Sequence, residues 1–101
     1  MQIDKVTCKA IIESMDSEEL DHYIAWLDVI EIPRHQMDIR VKARDNKRIR
    51  EILRKQGQIQ GLIVHLKLNQ TAIYRHRQDI KSTRECILKA EDRMDLLGGE
   101  Q

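Results

Sequence analysis

Helix-breaking residues are almost absent from this chain, which has one proline, Pro33, and four glycines among its 101 residues. Most of the other residue types, notably Leu, Ile, Glu, Gln, Lys and Arg, favour or tolerate helix. Hydrophobic residues make up 41% of the chain but only 3% is aromatic, so the core is expected to be aliphatic. The composition predicts an all-α protein, and the length predicts a single domain over residues 1–101.

From the sequence we expect neither a membrane span nor an export signal. No stretch approaches the roughly 18 apolar residues that a spanning helix needs. The segment MQIDKVTCKAIIESMD lacks the uninterrupted apolar core of a signal peptide. These features predict a cytoplasmic protein with no membrane partner. Cys8 and Cys86 lack a CxxC partner and are expected to be free thiols in that compartment.

Charged residues fall into three blocks, although the net charge is only +1. Residues 1–33 carry a net charge of −6, residues 34–84 carry +10 and residues 85–101 carry −3. The predicted domain therefore has an acidic helical N-terminal part, a basic middle and an acidic C-terminal helix. Concentrated like charge predicts binding to a polyanion, and the alternative is a solvated basic face with no partner.

Helix start and stop signals divide the chain into four to five helices. Asp4 can cap a first short helix that ends near Met15. Asp16 and Glu19 form a capping box that begins a second helix. Pro33 is expected to end it, because proline lacks an N–H donor and disfavours helical conformation in the preceding residue.

Residues 37–43 have a different pattern. Met37, Ile39, Val41 and Ala43 alternate with polar residues, and a period of two is typical of a strand. We predict a short edge strand or an extended arm here, which could pair with its copy in a dimer.

Further helices are expected in the second half of the chain. Asp45 is suited to cap a basic helix over residues 46–56, which Gly57 then ends. A short helix is predicted directly after it, over residues 59–66.

A tight break at residues 67–69 then precedes a new helix capped by Asn69. Ser82 and Glu85 form a second capping-box pattern. That pattern either starts a last helix or marks a bend within a longer one that runs to Leu97.

Two short helices joined by a three- or four-residue turn, the second helix having a polar outer face, make a helix-turn-helix. Residues 59–80 follow this layout. Within them, LKLNQTAIYRH resembles the turn and recognition helix of bacterial and phage helix-turn-helix regulators and of the DNA-binding ends of site-specific recombinases. Ile63 and Lys67 stand where that family usually has Ala and Gly.

The resemblance implies a sequence-specific DNA-binding transcriptional regulator of bacterial, plasmid or phage origin. Gln70, Thr71, Tyr74 and Arg75 match its base-reading stretch. The basic helix before the motif is expected to contact phosphates. The full set of predicted DNA-binding residues is Gln70, Thr71, Tyr74, Arg75, Arg77, Gln78, Lys47, Arg48, Arg50, Arg54, Lys55 and Lys67.

Other chemistry finds no support in the sequence. His22, His35, His65 and His76 have no metal-ligand spacing among themselves or with the cysteines. No base and acid accompany a cysteine nucleophile, and no glycine-rich phosphate loop is present. We expect no enzymatic activity, no metal, no cofactor and no small-molecule substrate.

Assembly is expected to involve apolar stripes on the second and last helices. Tyr23, Trp26 and Ile30 form the first stripe, and each stripe could be core or interface. A homodimer bound to double-stranded DNA is predicted, because paired recognition helices read two half-sites. The alternative function is a helical protein–protein interaction or inhibitor protein with a basic binding face.

Overall fold

The computed structural model describes residues 5–99, and nearly all of them are helical. Helix α1 spans Lys5–Ser14, α2 spans Ser17–Trp26, α3 spans Ile32–Gln56 and α4 spans Gln60–Gly99. A π-helical turn, Leu27–Glu31, joins α2 to α3 without a break. Residues 5–99 include no strand, so the predicted all-α class is confirmed. The four to five helices are not, because the chain forms three continuous rods.

Two of the predicted helix boundaries are present. Glu19 N–H donates to Asp16 Oδ1 at 2.8 Å and Asp16 N–H donates to Glu19 Oε1 at 3.3 Å, which completes the capping box. Gly57 ends α3 with a φ of 83°, in the left-handed region that favours glycine, and its N–H donates to Leu53 O. Asp4, the predicted cap of α1, lies outside the described residues.

Pro33 does not end the second helix, as the sequence predicted. The helix widens just before it, and Ile32 N–H donates to Leu27 O, five residues earlier. A wide turn shifts the hydrogen-bond register, so the helix accommodates a residue that lacks an N–H and whose ring crowds the preceding turn. Consequently α2, the π turn and α3 form one rod over residues 17–56.

Helices α3 and α4 form an antiparallel hairpin with residues 57–59 at its tip. His35 lies opposite His76 and Asn46 lies opposite Asn69, which fixes the register. The packed residues recur at alternating intervals of three and four, as in a coiled coil. All of them are buried or half-buried. This seam consists of Ile32, His35, Ile39, Lys42, Asn46, Ile49 and Leu53 on α3, and Leu62, Leu66, Asn69, Ile73, His76, Ile80, Thr83, Ile87, Ala90, Met94 and Leu97 on α4.

The end of the hairpin opposite the tip packs against α1 and α2. We call this region the head, and define it as residues 5–27 together with residues 86–97. Its buried cluster consists of Cys8, Ile12, Leu20, Leu27, Cys86 and Ala90. Ile87, Met94 and Leu97 pack against the cluster, so the apolar stripe of the last helix is used inside the molecule.

A disulfide joins the two cysteines of the head. Cys8 Sγ is bonded to Cys86 Sγ, which links α1 to α4. The expectation of free thiols is therefore wrong. The two residues are 78 positions apart in sequence, and only the packing of α1 on α4 brings them together.

The predicted strand or extended arm at residues 37–43 is wrong, because these residues lie within α3. Ile39 lies in the seam, whereas Met37 and Val41 are exposed. A strand needs a partner for its backbone groups, and residues 5–99 offer none. The helix satisfies those groups locally and places Ile39 against α4.

The helix-turn-helix is also not found, because α4 continues through residues 67–69, where the turn was predicted. No non-glycine residue of the described chain has a positive φ. A left-handed conformation at Lys67 would cost about 1 kcal/mol or more. The continuous helix avoids that cost and packs Leu66, Asn69 and Ile73 against α3.

The other predicted caps in this half are interior residues. Asp45 lies within α3, and Ser82 and Glu85 lie within α4. Asn69 is 8% exposed, and its Nδ2 donates to Asp45 Oδ2 at 2.8 Å and to Asn46 Oδ1 at 2.9 Å. Asp45 and Asn69 thus contribute to the contact between the rods, and none of the four residues begins a helix.

No helix among the described residues is both long enough and apolar enough to cross a membrane.

Candidate nucleic-acid interface

All twelve predicted DNA-binding residues are exposed, and they lie on both rods of the hairpin. Those on α3 are Lys47, Arg48, Arg50, Arg54 and Lys55. Those on α4 are Lys67, Gln70, Thr71, Tyr74, Arg75, Arg77 and Gln78. Because α4 is one unbroken helix here, these residues point in several directions around it. They therefore do not form the compact base-contacting surface of a helix-turn-helix.

The hairpin is one helix thick and therefore has two broad sides, and the described part of the chain extends over 67 × 22 × 14 Å. A groove on one side is lined by Pro33 and Gln36 of α3 and by Arg84 and Leu88 of α4. A groove on the other side is lined by Asp45 of α3 and His65 of α4, among others. Because the two grooves lie on opposite sides, their lining residues show on which side of the hairpin each residue next to the seam lies.

Heptad spacing extends the first groove along the hairpin. In an antiparallel pair, the positions that flank the seam on one side of each helix face each other. We call this surface the basic side. It consists of Pro33, Gln36, Arg40, Ala43, Lys47, Arg50 and Arg54 on α3, and Ile63, Lys67, Gln70, Tyr74, Arg77, Lys81, Arg84 and Leu88 on α4.

The basic side carries eight Lys and Arg side chains and no Asp or Glu. All eight are exposed, and none forms an ion pair with any residue in the described part of the chain. Asp28 lines the groove beside Arg84 and marks the head end of this surface. Unpaired cations that share one surface create a positive electrostatic potential over that surface.

The length of the basic side follows from the register of the hairpin. Measured from the His35–His76 pair, Arg84 lies eight residues toward the head and Arg54 lies nineteen residues toward the tip. At 1.5 Å per residue the cations cover about 40 Å. With a rise of roughly 3.4 Å per base pair, this length matches about twelve base pairs of duplex.

Acidic residues are confined to the opposite side and the outer edges. Glu31, Asp38 and Asp45 recur every seven residues on α3, and Asp79 lies on α4. Asp45 Oδ2 is 2.8 Å from His65 Nε2, and Asp38 Oδ2 is 3.7 Å from His76 Nε2. By the same spacing Arg34, Arg48, Lys55 and Arg75 also lie on the opposite side, so its cations are mixed with acidic residues, whereas those of the basic side are not.

Seven of the predicted residues lie on the basic side, namely Lys47, Arg50, Arg54, Lys67, Gln70, Tyr74 and Arg77. Arg48, Lys55, Thr71, Arg75 and Gln78 lie elsewhere, and the hydroxyl of Thr71 donates to Lys67 O at 3.1 Å. The prediction missed Arg40, Lys81 and Arg84 because it was limited to the basic helix over residues 46–56 and the expected helix-turn-helix over residues 59–80. The regular three- and four-residue spacing of these residues would have identified them.

Tyr74 is the one aromatic residue on the basic side, and its side chain is 63% exposed. On α4 it lies between Gln70 and Arg77, with Lys67 and Lys81 one further step away. An exposed aromatic ring among cations can contact a sugar or a base edge while its neighbours bind phosphates.

Comparisons with protein-family models, with curated proteins and with solved structures found no match for this chain.

Proposed function

We propose that this chain is a non-enzymatic nucleic-acid-binding protein that holds duplex DNA against the basic side of its hairpin. The observation that supports this most is the run of eight exposed, unpaired cations with no acidic residue among them. Cations spaced along about 40 Å of a rigid rod suit the regular phosphates of a duplex. In this proposal most of the affinity comes from phosphate contacts.

The proposal differs from the sequence-based prediction in how the DNA is read. A helix-turn-helix inserts a short recognition helix into the major groove, and α4 has no such short helix. In this proposal, a preference for particular DNA sequences comes from Gln70 and Tyr74, which lie in the middle of the basic side and can contact base edges. The role in transcription stays a prediction that depends on finding such a preference.

The test is fluorescence anisotropy with a random duplex at several salt concentrations. Six to eight phosphate contacts predict that the logarithm of the association constant falls with that of the salt concentration, with a slope of about −5 to −7. A folded protein that does not bind duplex at low salt would contradict the proposal. The alternative, binding to an acidic protein surface, would then become the leading hypothesis.

Two matched charge-reversal variants test whether DNA binding depends on the basic side or only on the net charge of the protein. The first variant combines Lys47→Glu, Arg50→Glu and Arg54→Glu on the basic side. The second combines Arg44→Glu, Arg48→Glu and Lys55→Glu, which are exposed residues of the same helix outside the basic side. The first should weaken binding at least about 100-fold and reduce the salt slope by about 2.7. Equal loss in both variants would show that only overall charge matters.

Arg75 and Arg77 provide a finer test within α4. The resemblance to helix-turn-helix proteins assigned base reading to Arg75, whereas Arg77 lies on the basic side. Arg77→Ala should weaken duplex binding several-fold, and Arg75→Ala should have a smaller effect. The reverse order would favour the original assignment of the recognition surface.

Homodimerisation is retained as part of the proposal. The side chains of Trp26 and Ile30 are 45% and 49% exposed at the junction of α2 and the π turn, and a second copy could cover them. Two copies would present two basic sides to one duplex. Sedimentation equilibrium should give twice the chain mass, and Trp26→Lys with Ile30→Lys should restore the monomer.

A further inference from the structure

Two imidazole rings, one buried and one half-buried, meet in the seam of the hairpin. His35 Nδ1 of α3 is 2.8 Å from His76 Nδ1 of α4. The side chain of His35 is 6% exposed and that of His76 is 22% exposed. Only one of two nitrogens at this distance carries the shared proton, so the other directs a lone pair toward its neighbour. Such a pair places two metal-ligating atoms together inside the seam.

A carboxylate completes a set of three donors. Asp79 follows His76 by three residues on α4, and this spacing places both side chains on one face of a helix. Each of His35, His76 and Asp79 offers a ligand atom, and the three atoms lie within 4.8 Å of one another. Facing helices of a bundle can supply a metal site from donors at this i, i+3 spacing.

The outer nitrogen of each ring faces a second carboxylate. His35 Nε2 is 3.2 Å from Glu31 Oε1, and His76 Nε2 is 3.7 Å from Asp38 Oδ2. His35 Nε2 is fully buried and makes no hydrogen bond of good geometry. Histidines that bind a metal usually donate their other N–H to a carboxylate, which fixes the ring and its tautomer. A carboxylate thus lies near the outer nitrogen of each ring, close enough to become its hydrogen-bond partner after a small shift of the side chains.

We propose that His35 Nδ1, His76 Nδ1 and the Asp79 carboxylate bind a divalent first-row transition ion of the Zn²⁺ type. Two imidazoles and one carboxylate match the ligand preference of such ions, and three protein ligands leave a fourth position for water. Glu31, Asp38 and Asp79 surround the site with negative charge, and Arg34 Nη2 pairs with Glu31 at 2.6 Å. This charge balance favours a dication.

Binding requires a change of tautomer. The ring that now donates through Nδ1 must carry its proton on Nε2, where Glu31 or Asp38 can accept it. Both rings then stay neutral, and the two Nδ1 lone pairs are free for the ion. Because both rings must be neutral, affinity should fall as the solution is made acidic.

The bound ion would link α3 to α4 near the head end of the basic side. No metal was expected from the sequence, because no ligands lie close together in the chain. His35 and His76 are 41 residues apart, and only the antiparallel register brings them together.

The test is titration of the metal-free full chain with Zn²⁺ by calorimetry and with Co²⁺ by visible absorption. We expect one ion per chain and the absorption of a four-coordinate Co²⁺ site. His76→Gln should weaken binding at least 100-fold. Asp38→Asn, which changes only an outer partner, should weaken it about tenfold. His65→Gln is the matched control, because His65 also faces a carboxylate across the hairpin, at Asp45, yet belongs to no three-donor set.

Three results would overturn the proposal: no binding by the folded wild-type chain, unchanged binding in His76→Gln, or loss of binding in His65→Gln. Far-UV circular dichroism checks that each variant is folded. If His76→Gln unfolds, Asp79→Asn replaces it, because Asp79 is only half-buried and asparagine has the same shape. A folded Asp79→Asn chain that keeps the full affinity would contradict the assignment.

Discussion

The head and the hairpin share helix α4, but they are held together in different ways. In the head, a disulfide and a cluster of apolar side chains join α1 and α2 to α4. In the hairpin, the seam contains polar residues between its aliphatic ones, namely His35, Lys42, Asn46, Asn69 and His76. The head therefore relies on apolar burial and a covalent link, whereas the hairpin contains polar contacts that only one alignment of the rods satisfies.

This difference indicates a division of work within the molecule. Buried polar pairs add little net stability but penalise alternative alignments, because a shifted register leaves their donors unpaired. The hairpin is thus expected to be fixed in register and modest in stability, and its outer faces are free to carry charge. The head supplies stability, and the hairpin supplies the proposed binding surface.

The largest predicted effect concerns the disulfide of the head. Cys8→Ser removes a cross-link between residues 78 positions apart. The unfolded chain then gains conformational freedom, and we expect the free energy of unfolding to fall by about 4 kcal/mol. Urea denaturation measures the loss, and the wild-type chain under reducing conditions should behave like the variant. A loss below about 1 kcal/mol would mean that the disulfide contributes little to the head.

A matched pair of truncations compares the two cores directly. Leu20 is fully buried in the head, whereas Leu53 is half-buried near the tip of the hairpin. Leu20→Ala should lower the free energy of unfolding by about 3 kcal/mol, and Leu53→Ala by about half as much. Both losses follow from the urea concentrations at the unfolding midpoints, when the unfolding free energy depends equally on urea concentration in all three proteins. Equal losses would show that the hairpin seam is as well packed as the head.

The asparagine pair tests whether the hairpin trades stability for register. Asn69→Leu alone leaves the buried Asn46 amide oxygen without its donor and should cost about 2 kcal/mol. The double variant Asn46→Leu with Asn69→Leu removes both amides, and Asp45 Oδ2 keeps its contact with His65 Nε2, so this variant should be at least as stable as wild type. If the double variant were less stable than wild type, the pair would be a net source of stability.

The smallest predicted effect concerns Tyr23 at the edge of the head. Burial, and secondarily the negative charge of Glu31, raises the pKa of Tyr23 above its ordinary value of 10.0. The folded state therefore holds this proton more tightly than the unfolded chain. The resulting stability is fully present below pH 10 and is lost as the pH rises through the folded pKa. Tyr23→Phe should show a shallower alkaline loss, and identical profiles would remove this contribution.

Much of the local structure could be predicted from individual residues. The capping box at Asp16 and the stop at Gly57 were both predicted, because each depends on hydrogen bonds within a few residues. Pro33 and residues 67–69 were predicted wrongly as interruptions. At both places a local preference against helix was small compared with the gain from continuing a long packed rod.

The candidate site was predicted in part for a similar reason. The basic middle was evident from charge counts. The seam could have been found from the intervals of three and four at which residues such as Leu66, Ile73 and Ile80 recur between Leu62 and Leu97. The polar members of the seam, such as Asn69, obscured that spacing, and Asn69 was interpreted as a helix cap. A heptad pattern tolerates such residues when each finds a partner on the facing helix.

By itself the sequence determined the helical class, the aliphatic core and the concentration of positive charge between two acidic ends, because these depend on composition and on short-range preferences. Only the tertiary structure decided which cations share one side, which histidines meet and which cysteines bond. Those pairings depend on the antiparallel register of two rods, and residues such as His35 and His76 are distant in sequence. Register is set by packing along the whole seam, so no local segment contains it.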